Sequence, residues 1–197
     1  MSENHKIEIA VFQKAKTGKS CCGDSYFYTE TEDGFVCALA DGLGSGQYAK
    51  ESSAIVIDTI KESADATVEQ LVEIANTKLI GKRGAVLGIF KVDFHTMICS
   101  FSTIGNIGAV IATKDKKKRI VPNIGYLGSS QRTFKVIQEE IEPGTNFIMF
   151  SDGVKDLELS NVYFSHEDIR DIIKSYEHIS EEERQDDTTL IAMRFVK

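Results

Sequence analysis

Short runs of alternating apolar and polar residues dominate the chain, and such alternation is typical of β-strands with one buried face. The pattern predicts strands at residues 7–13, 24–31 and 35–40, the last apolar throughout and therefore expected to be buried. Most connections in the strand-rich middle are short enough for hairpins, so antiparallel pairing is expected. Further strands are predicted at residues 85–92, 97–104, 107–113, 119–121, 134–141, 146–151 and 188–196.

Three segments instead place apolar residues at helical spacing, at 47–64, 67–79 and 166–177. Thr67 and Gln70 form a capping-box pattern before the second helix, and Ser165 and Asp168 are placed to cap the third. Strands far outnumber β-α-β units, which disfavours a doubly wound parallel sheet. We therefore expect an α+β fold in which two antiparallel sheets pack face to face with helices outside them.

Composition narrows the class of protein. At 197 residues the chain is expected to form one domain, 1–197, and its net charge of −7 argues against a nucleic-acid surface. No apolar run reaches the roughly 20 residues that a membrane-spanning helix needs, and the first residues carry no secretory signal. Cys37 and Cys99 lie in apolar runs and no Cys-x-x-Cys pair occurs, which predicts free thiols in a reducing cytoplasm and no zinc site.

Acidic residues stand at the ends of several predicted strands. Asp41 follows the apolar run 35–40 and precedes three alternating glycines, which allow the backbone to turn sharply and approach a ligand closely. Any one Asp-Gly pair is equally typical of an ordinary turn. Together, however, clustered carboxylates cannot all remain ionised without a cation. The acidic residues in question are Asp24, Asp41, Asp152, Asp186 and Asp187.

Hard carboxylate oxygens select Mg²⁺ or Mn²⁺ rather than zinc. Two such ions about 3.5–4 Å apart could activate a water molecule, which is the chemistry of metal-dependent phosphate-ester hydrolysis. The glycines 42, 44 and 46 also suggest a dinucleotide loop, but the third glycine comes one residue early and no β-α-β unit follows. A serine hydrolase is disfavoured because no Gly-x-Ser-x-Gly elbow occurs. The basic cluster 114–119 is expected to be a solvated turn.

The acidic motifs occur in the order found in a known enzyme family. Gly23-Asp24-Ser25, Asp41-Gly42, Ser151-Asp152-Gly153 and Asp186-Asp187-x-Thr189 resemble the motifs of PPM/PP2C-type serine/threonine phosphatases, and more closely those of their SpoIIE-like bacterial branch. The resemblance runs essentially from end to end. Segments 22–25, 40–46, 51–54, 82–85 and 125–127 narrow it to the phosphatases of the general stress response within that branch.

This resemblance implies a PP2C-like α-β-β-α sandwich and a phosphoprotein phosphatase that uses two Mn²⁺ or Mg²⁺ ions. By motif position, Asp41 is implied to bridge both ions and the Gly42 carbonyl to complete one of them. Asp152 and Asp186 are implied to bind one ion, with Asp24 helping to hold the centre. The implied catalytic residues are Asp24, Asp41, Asp152 and Asp186, and the implied metal residues also include Gly42 and, in a supporting role, Asp187.

The implied substrates are phosphoserine or phosphothreonine residues on STAS-domain proteins of the stressosome, in negative feedback on the general stress response sigma factor pathway. Lys16 and Lys19 stand where larger relatives often have a phosphate-gripping arginine, and Val86 stands where a threonine is frequent. The long flap of larger relatives is expected to be absent, leaving room for a protein substrate. The alternative from another class is a non-catalytic binding module that retains the phosphatase fold.

Overall fold

The computed structural model describes residues 5–114, 116–129, 133–154, 168–179 and 185–197. This part of the chain forms two five-stranded sheets, ordered β1-β10-β9-β6-β7 and β2-β3-β4-β5-β8, in which all paired neighbours are antiparallel. The elements are β1 (Ile7–Lys14), β2 (Asp24–Glu30), β3 (Gly34–Gly42), α1 (Gln47–Glu62), α2 (Val68–Lys78), β4 (Ala85–Asp93), β5 (Ile98–Ile104), β6 (Gly108–Ala112), β7 (Lys117–Arg119), β8 (Ile137–Glu140), β9 (Asn146–Phe150), α3 (Ile169–Ile179) and β10 (Thr188–Phe195).

Three apolar cores separate four layers of structure. The central core lies between the sheets and joins residues such as Leu39 of β3 to Ile191 of β10. A second core packs α1 and α2 on one sheet, and a third packs α3 on the other through Ile172 and Tyr176. The expected sandwich of two antiparallel sheets with helices outside is therefore confirmed.

Strand β3, which lies inside its sheet between β2 and β4, is apolar over residues 35–40 because both of its faces are covered. Leu39 points into the core between the sheets, whereas Ala38 and Ala40 point to the helices. A strand covered on both faces gains nothing from polar alternation. Its helix-facing alanines are small, and they leave room for Val56 of α1 to pack closely on the sheet.

Most predicted elements are confirmed to within a few residues. The capping box of α2 is present, with Thr67 Oγ1 accepting from the Gln70 N–H at 3.3 Å and Gln70 Oε1 accepting from the Thr67 N–H at 3.0 Å. Asp168 Oδ1 accepts from the Arg170 N–H at 2.8 Å at the start of α3. The predicted cap Ser165 and the predicted helix start at His166 lie outside the described residues.

Three predicted boundaries were wrong. Strand β3 does not end at residue 40 but continues to Gly42, because Asp41 and Gly42 remain paired with Val86 and Ala85. Strand β7 comprises residues 117–119 rather than 119–121, and β8 comprises 137–140 rather than 134–141. Both lie at sheet edges, where exposed residues leave little periodic signal. The stretch 117–119, expected to be part of a turn, is therefore an exposed edge strand.

The cysteines behave as expected from their setting. All four are free, and Cys37 and Cys99 are buried in the central core. None of the helices in the described ranges is long and apolar enough to cross a membrane.

Candidate metal centre

Two of the predicted acids face each other across neighbouring strands. Antiparallel pairing of β2 with β3 places Asp24 directly opposite Asp41. Side chains in such a pair share one face of the sheet, with Cβ atoms about 4.5–5.5 Å apart. That face is the one on which Leu39 enters the core between the sheets. Like charges at this spacing repel, so the pair is costly unless something neutralises it.

Asp24 joins the two sheets. Its Oδ2 accepts from Ser151 Oγ at 2.8 Å and from Thr189 Oγ1 at 2.6 Å, and both donors belong to the opposite sheet region at the ends of β9 and β10. The Ser151 hydroxyl also accepts from the Thr189 N–H at 2.9 Å. Asp24 Oδ1 is buried and has no hydrogen-bond partner among the described residues. One oxygen is thus firmly held, and the other is left for a ligand.

Asp152 and Asp186 reach the same end of the sandwich from the turns that flank β9 and β10. Asp152 Oδ2 accepts from Asn106 Nδ2, in the turn between β5 and β6, at 2.6 Å. Asp186 is exposed, and its Oδ1 accepts from the Asp187 N–H at 2.9 Å. Burial, and then repulsion from Asp186, raise the pKa of Asp152. The two carboxylates are therefore close enough to disfavour joint ionisation.

Burial and mutual repulsion shift the pKa values of the facing pair strongly. Burial and, after it, the charges of the neighbouring aspartates together raise the pKa of Asp41 to about 8. Burial likewise raises the pKa of Asp24 to about 6, although the hydroxyls of Thr189 and Ser151 act in the opposite direction. Because ionised carboxylates are unfavourable at this site, binding of a cation that neutralises them is favoured.

Asp187 differs from the other acids because backbone groups engage both of its oxygens. Oδ1 accepts from the Lys16 N–H at 2.8 Å and Oδ2 from the Gly23 N–H at 2.7 Å. Asp187 thereby holds the loop before β2 against the candidate metal centre. The same contact brings the Lys16 backbone to the site, whereas Lys19 is an exposed residue of that loop.

Gly42 allows the start of helix α1 to approach the strand end that carries Asp41. A Cβ at this position would lie 1.8 Å from the carbonyl oxygen of Ala49. In the next strand, Val86, which stands where relatives often have a threonine, lies opposite Asp41, and its side chain offers that acid no hydrogen-bond donor. The strand end that carries Asp41 and Gly42 is therefore close to the backbone of α1 on one side and to the apolar side chain of Val86 on the other.

Several residues that support the centre were not predicted. Lys50 of α1 donates to the Asp24 carbonyl oxygen at 2.9 Å and to Ser25 Oγ at 3.0 Å. Ser53 donates to the Gly23 carbonyl oxygen at 2.5 Å. Lys50 and Ser53 thus hold the backbone at Gly23 and Asp24, whereas Asn106 holds the Asp152 carboxylate. Ser53 lies in segment 51–54, which contributed to the family resemblance, and Asn106 follows a glycine in a pattern that indicates a hairpin rather than a site.

The donor set fits a hydrated divalent cation. Within the described residues, no three Asp, Glu, His or Cys side chains are grouped so as to hold one ion by themselves. Mg²⁺ does not need such a cage, since it usually keeps several waters and binds one or two carboxylates. The unpartnered Asp24 Oδ1 and the raised pKa of Asp41 both favour such an ion. Carboxylate oxygens such as these favour Mg²⁺ or Mn²⁺ over zinc.

In the metal-free protein, stability should fall as the pH rises from about 5.5 to about 8.5. The folded-state pKa values of Asp24 and Asp41, about 6 and about 8, exceed the ordinary value of 3.8. The folded chain therefore binds more protons than the unfolded chain, and this stabilising contribution, complete below the ordinary pKa, is lost as the pH rises through the folded values. Mg²⁺ competes with those protons, so the Mg²⁺-induced rise in melting temperature should grow over the same range.

Thermal unfolding followed by circular dichroism, with chelator or with Mg²⁺, measures both effects. The matched control is Asp58→Asn, which removes an exposed carboxylate of α1 and should leave the pH dependence unchanged. A melting temperature that stays constant across this pH range in chelator would contradict the raised pKa values.

Comparison with known proteins assigns the fold and the sequence pattern to one group. The family model "Stage II sporulation protein E (SpoIIE)" matches residues 31–196. "Phosphoserine phosphatase RsbX" of Bacillus subtilis (strain 168) is 32% identical over 192 residues, which cover 97% of this chain and 96% of that protein. The predicted resemblance to the SpoIIE-like branch, and within it to RsbX, is confirmed.

Solved structures agree with this assignment. The crystal structure of RsbX in complex with magnesium superposes with a TM-score of 0.89 at 32% identity, covering 98% of this chain and 96% of that one. A chain from "The bacterial stressosome: a modular system that has been adapted to control secondary messenger signaling" has a TM-score of 0.80 at 24% identity, covering 96% and 100%. The PP2C phosphatase domain of SpoIIE from Bacillus subtilis has a TM-score of 0.84 at 20% identity, covering 96% and 63%.

Proposed function

The chain belongs to the SpoIIE family of PP2C-type phosphatases and is a phosphoserine phosphatase, and we propose that it acts with two Mg²⁺ or Mn²⁺ ions on phosphorylated STAS-domain proteins of a stressosome. The observation that carries the metal dependence is the facing pair Asp24 and Asp41, with Asp152 and Asp186 reaching the same end of the sandwich. The magnesium in the RsbX structure supports the same class of ion. Asp41, with the Gly42 carbonyl, and Asp24, Asp152 and Asp186 would hold these ions, with Asp187 in a supporting role.

Each acid has a separate task in this proposal. When bound, the ions would supply positive charge to the phosphoryl group and activate a water molecule. Asp41 is held at the centre by strands on both sides, while Asn106 orients Asp152. Asp24 is fixed by two hydroxyls and has one oxygen left for a ligand. Asp187 keeps the preceding loop, with Lys16, against the site.

The cysteines argue against a covalent phosphocysteine route. Such a nucleophile must be a thiolate of lowered pKa. Burial, followed by repulsion from Asp24, raises the pKa of Cys22, the thiol beside the site, to about 12. Burial also raises the pKa of Cys99 to about 12 and that of Cys37 still higher. Direct attack by water therefore suits the chain better than a cysteinyl intermediate.

The stressosome assignment rests on the relatives. RsbX is a phosphoserine phosphatase of high similarity over nearly the whole chain, and one structural neighbour comes from a stressosome study. We place the enzyme in the cytoplasm, with negative feedback on the general stress response sigma factor pathway as its role. The four free cysteines agree with a reducing compartment.

Hydrolysis of p-nitrophenyl phosphate, titrated with Mg²⁺ and Mn²⁺ and then quenched with chelator, tests the metal dependence. We expect turnover that requires the added ion and disappears with chelator. Activity that persists in chelator would contradict the proposed cofactor. Absence of turnover on this ester and on phosphoproteins would instead favour a non-catalytic binding module, although the acids present at every motif argue against that alternative.

The substrate class needs a second measurement. A phosphorylated stressosome scaffold and an unrelated phosphoprotein, offered at equal concentration, should differ at least about tenfold in kcat/KM, equivalent to about 1.4 kcal/mol. Equal rates on both would contradict the stressosome assignment while leaving the phosphatase activity intact.

A further inference from the structure

We propose that Tyr48, Arg83, Ile124 and Tyr126, together called the rim surface, form a docking site for a folded phosphoprotein substrate. The proposed occupant presents an apolar patch and a carboxylate beside its phosphoserine. This inference rests on the proposed function, because the occupant is the protein that carries the phosphate to the candidate metal centre.

Arg83 places one end of the rim surface next to the turn that follows Asp41. Gly42 is paired with Ala85, and the Leu43 N–H donates to the Gly84 carbonyl oxygen at 3.0 Å, so residues 83 and 84 continue alongside the turn after Asp41. A Cβ on Gly44 would lie 2.7 Å from Arg83 Nη1. The guanidinium therefore lies against the turn that follows Asp41. Gly44 in this turn is three residues from Asp41, a backbone length of about 10 Å.

The loop 121–127 places the other end of the rim surface beside Asp152. The Gly125 carbonyl oxygen would lie 3.0 Å from a Cβ on Gly105. The residue after Gly105 is Asn106, which donates to Asp152. The loop thus passes along the mouth of the centre, from the turn at Gly84 to the turn at Gly105.

This loop is anchored although its apolar side chains are exposed. Asn123 Oδ1 accepts from the Lys135 N–H at 2.8 Å, and its Nδ2 donates to Ser102 Oγ at 3.2 Å. The Asn123 N–H donates to the Thr103 carbonyl oxygen at 2.7 Å, and Leu127 exchanges two backbone hydrogen bonds with Ala85. Ile124 nevertheless remains 90% exposed. Val121 and Tyr126 of the same loop are exposed as well, and several exposed apolar side chains grouped on one well-held loop are typical of an interaction site.

The side chains of the rim surface are those that dominate protein interfaces. Tyr48 is 64% exposed, and the Arg83 guanidinium lies 5.1 Å from its ring centroid. Tyr126 packs over Gly84, where an added Cβ would lie 2.8 Å from Tyr126 Cδ2. Tyrosine and arginine are enriched among residues that carry binding energy, and partial stacking limits the entropy that they lose on binding.

Charge identifies the chemistry of the occupant. Among the residues that the structure describes, Arg83 forms no ion pair, whereas its neighbour Lys82 is paired with Glu51 at 2.7 Å. Arg83 and Tyr48 also line a pocket of about 430 Å³ between α1 and the turn before β4. An unpaired guanidinium beside an apolar surface is complementary to a carboxylate flanked by apolar side chains. A small phosphate ester carries neither the apolar patch nor the carboxylate that this surface would bind.

The test compares one protein substrate with one small substrate. Steady-state kinetics would be measured with the phosphorylated stressosome scaffold and with p-nitrophenyl phosphate, for the unaltered chain and for Arg83→Ala, Ile124→Ser and their combination. The combined change should raise KM for the phosphoprotein at least about tenfold, with kcat on it nearly unchanged. The value of kcat/KM for p-nitrophenyl phosphate should change less than about twofold.

The matched control is Arg170→Ala, which removes an exposed arginine on α3, beyond the opposite sheet, and should alter neither substrate. Because Arg83 and Ile124 are exposed, the melting temperatures of the variants should stay close to that of the unaltered chain. Equal losses on both substrates, or an unchanged KM for the phosphoprotein, would overturn the docking role.

Two further outcomes separate the proposals. If the unaltered chain hydrolyses neither substrate with added Mg²⁺ or Mn²⁺, the proposed function itself fails. If sedimentation shows a dimer that Ile124→Ser converts to a monomer, the rim surface is an interface between two copies of this chain, and the docking proposal is overturned.

Discussion

Replacement of Asp41 by asparagine should reduce phosphatase kcat/KM at least about 10³-fold, because the change removes the acid expected to bridge both ions and thereby several kcal/mol of transition-state stabilisation. Asparagine keeps the size and shape of the side chain, so the pairing of β3 with β2 and β4 should persist. The measurement is steady-state turnover of p-nitrophenyl phosphate with saturating Mn²⁺. Near-normal turnover by Asp41→Asn would show that the candidate centre is not the active site.

The same variant has a readout that does not depend on activity. In chelator, its melting temperature near pH 8 should equal or exceed that of the unaltered chain, because the raised pKa of Asp41 shows that its charge is unfavourable there. The rise in melting temperature on adding Mg²⁺ should be largely lost. Asp58→Asn, which removes an exposed charge on α1, is the matched control and should change neither quantity.

Replacement of Gly42 by alanine should destabilise the fold by about 3 kcal/mol or more, the upper end of the cost of overpacking. The added Cβ would lie 1.8 Å from the carbonyl oxygen and 2.7 Å from the Cα of Ala49, so backbone rather than a flexible side chain must move. Displacing the start of α1 also disturbs Lys50, which holds the Asp24 backbone. Urea unfolding measures the loss, and phosphatase activity should fall with it.

The control for this prediction is Gly18→Ala. Gly18 has a φ of 79° and no atom within 4 Å of an added Cβ, so alanine there costs only left-handed backbone strain, about 1–2 kcal/mol. A Gly42→Ala variant that is no less stable than Gly18→Ala would show that α1 adjusts freely, and that the close approach at Gly42 has little energetic weight.

Local pattern predicted the elements of the fold better than their arrangement. The two-sided apolar strand β3 and the capped helix α2 follow from neighbouring residues, since burial and capping leave a periodic or short-range signal. The position of β10 between β1 and β9 does not, because it depends on pairing between distant segments. The bounds of edge strands such as β7 were predicted wrongly, because their exposed residues do not pack on a core and therefore show no apolar periodicity.

For the candidate centre, too, the sequence predicted the acidic residues but not the contacts that hold them. The sequence placed Asp24 and Asp41 at strand ends, and the resemblance assigned their roles. Local pattern could not show that the hydroxyls of Ser151 and Thr189 would hold Asp24 from the opposite sheet. The rim residue Arg83 lies in segment 82–85, which contributed to the family resemblance, but its position beside the turn at Gly44 is visible only in the folded structure.

The position of β10 between β1 and β9 governs when the candidate centre can form during synthesis. The hydroxyl contacts to Asp24 span 127 and 165 residues of chain, and β1 pairs with β10 along its whole length. The first strand must therefore wait, unpaired, until the ribosome has made the last one. Asp24 and Asp41 can face each other as soon as β2 pairs with β3, but Asp152 and Asp186 join them only near the end of synthesis. Divalent ions in the cell therefore meet the complete set of acids only in a nearly finished protein.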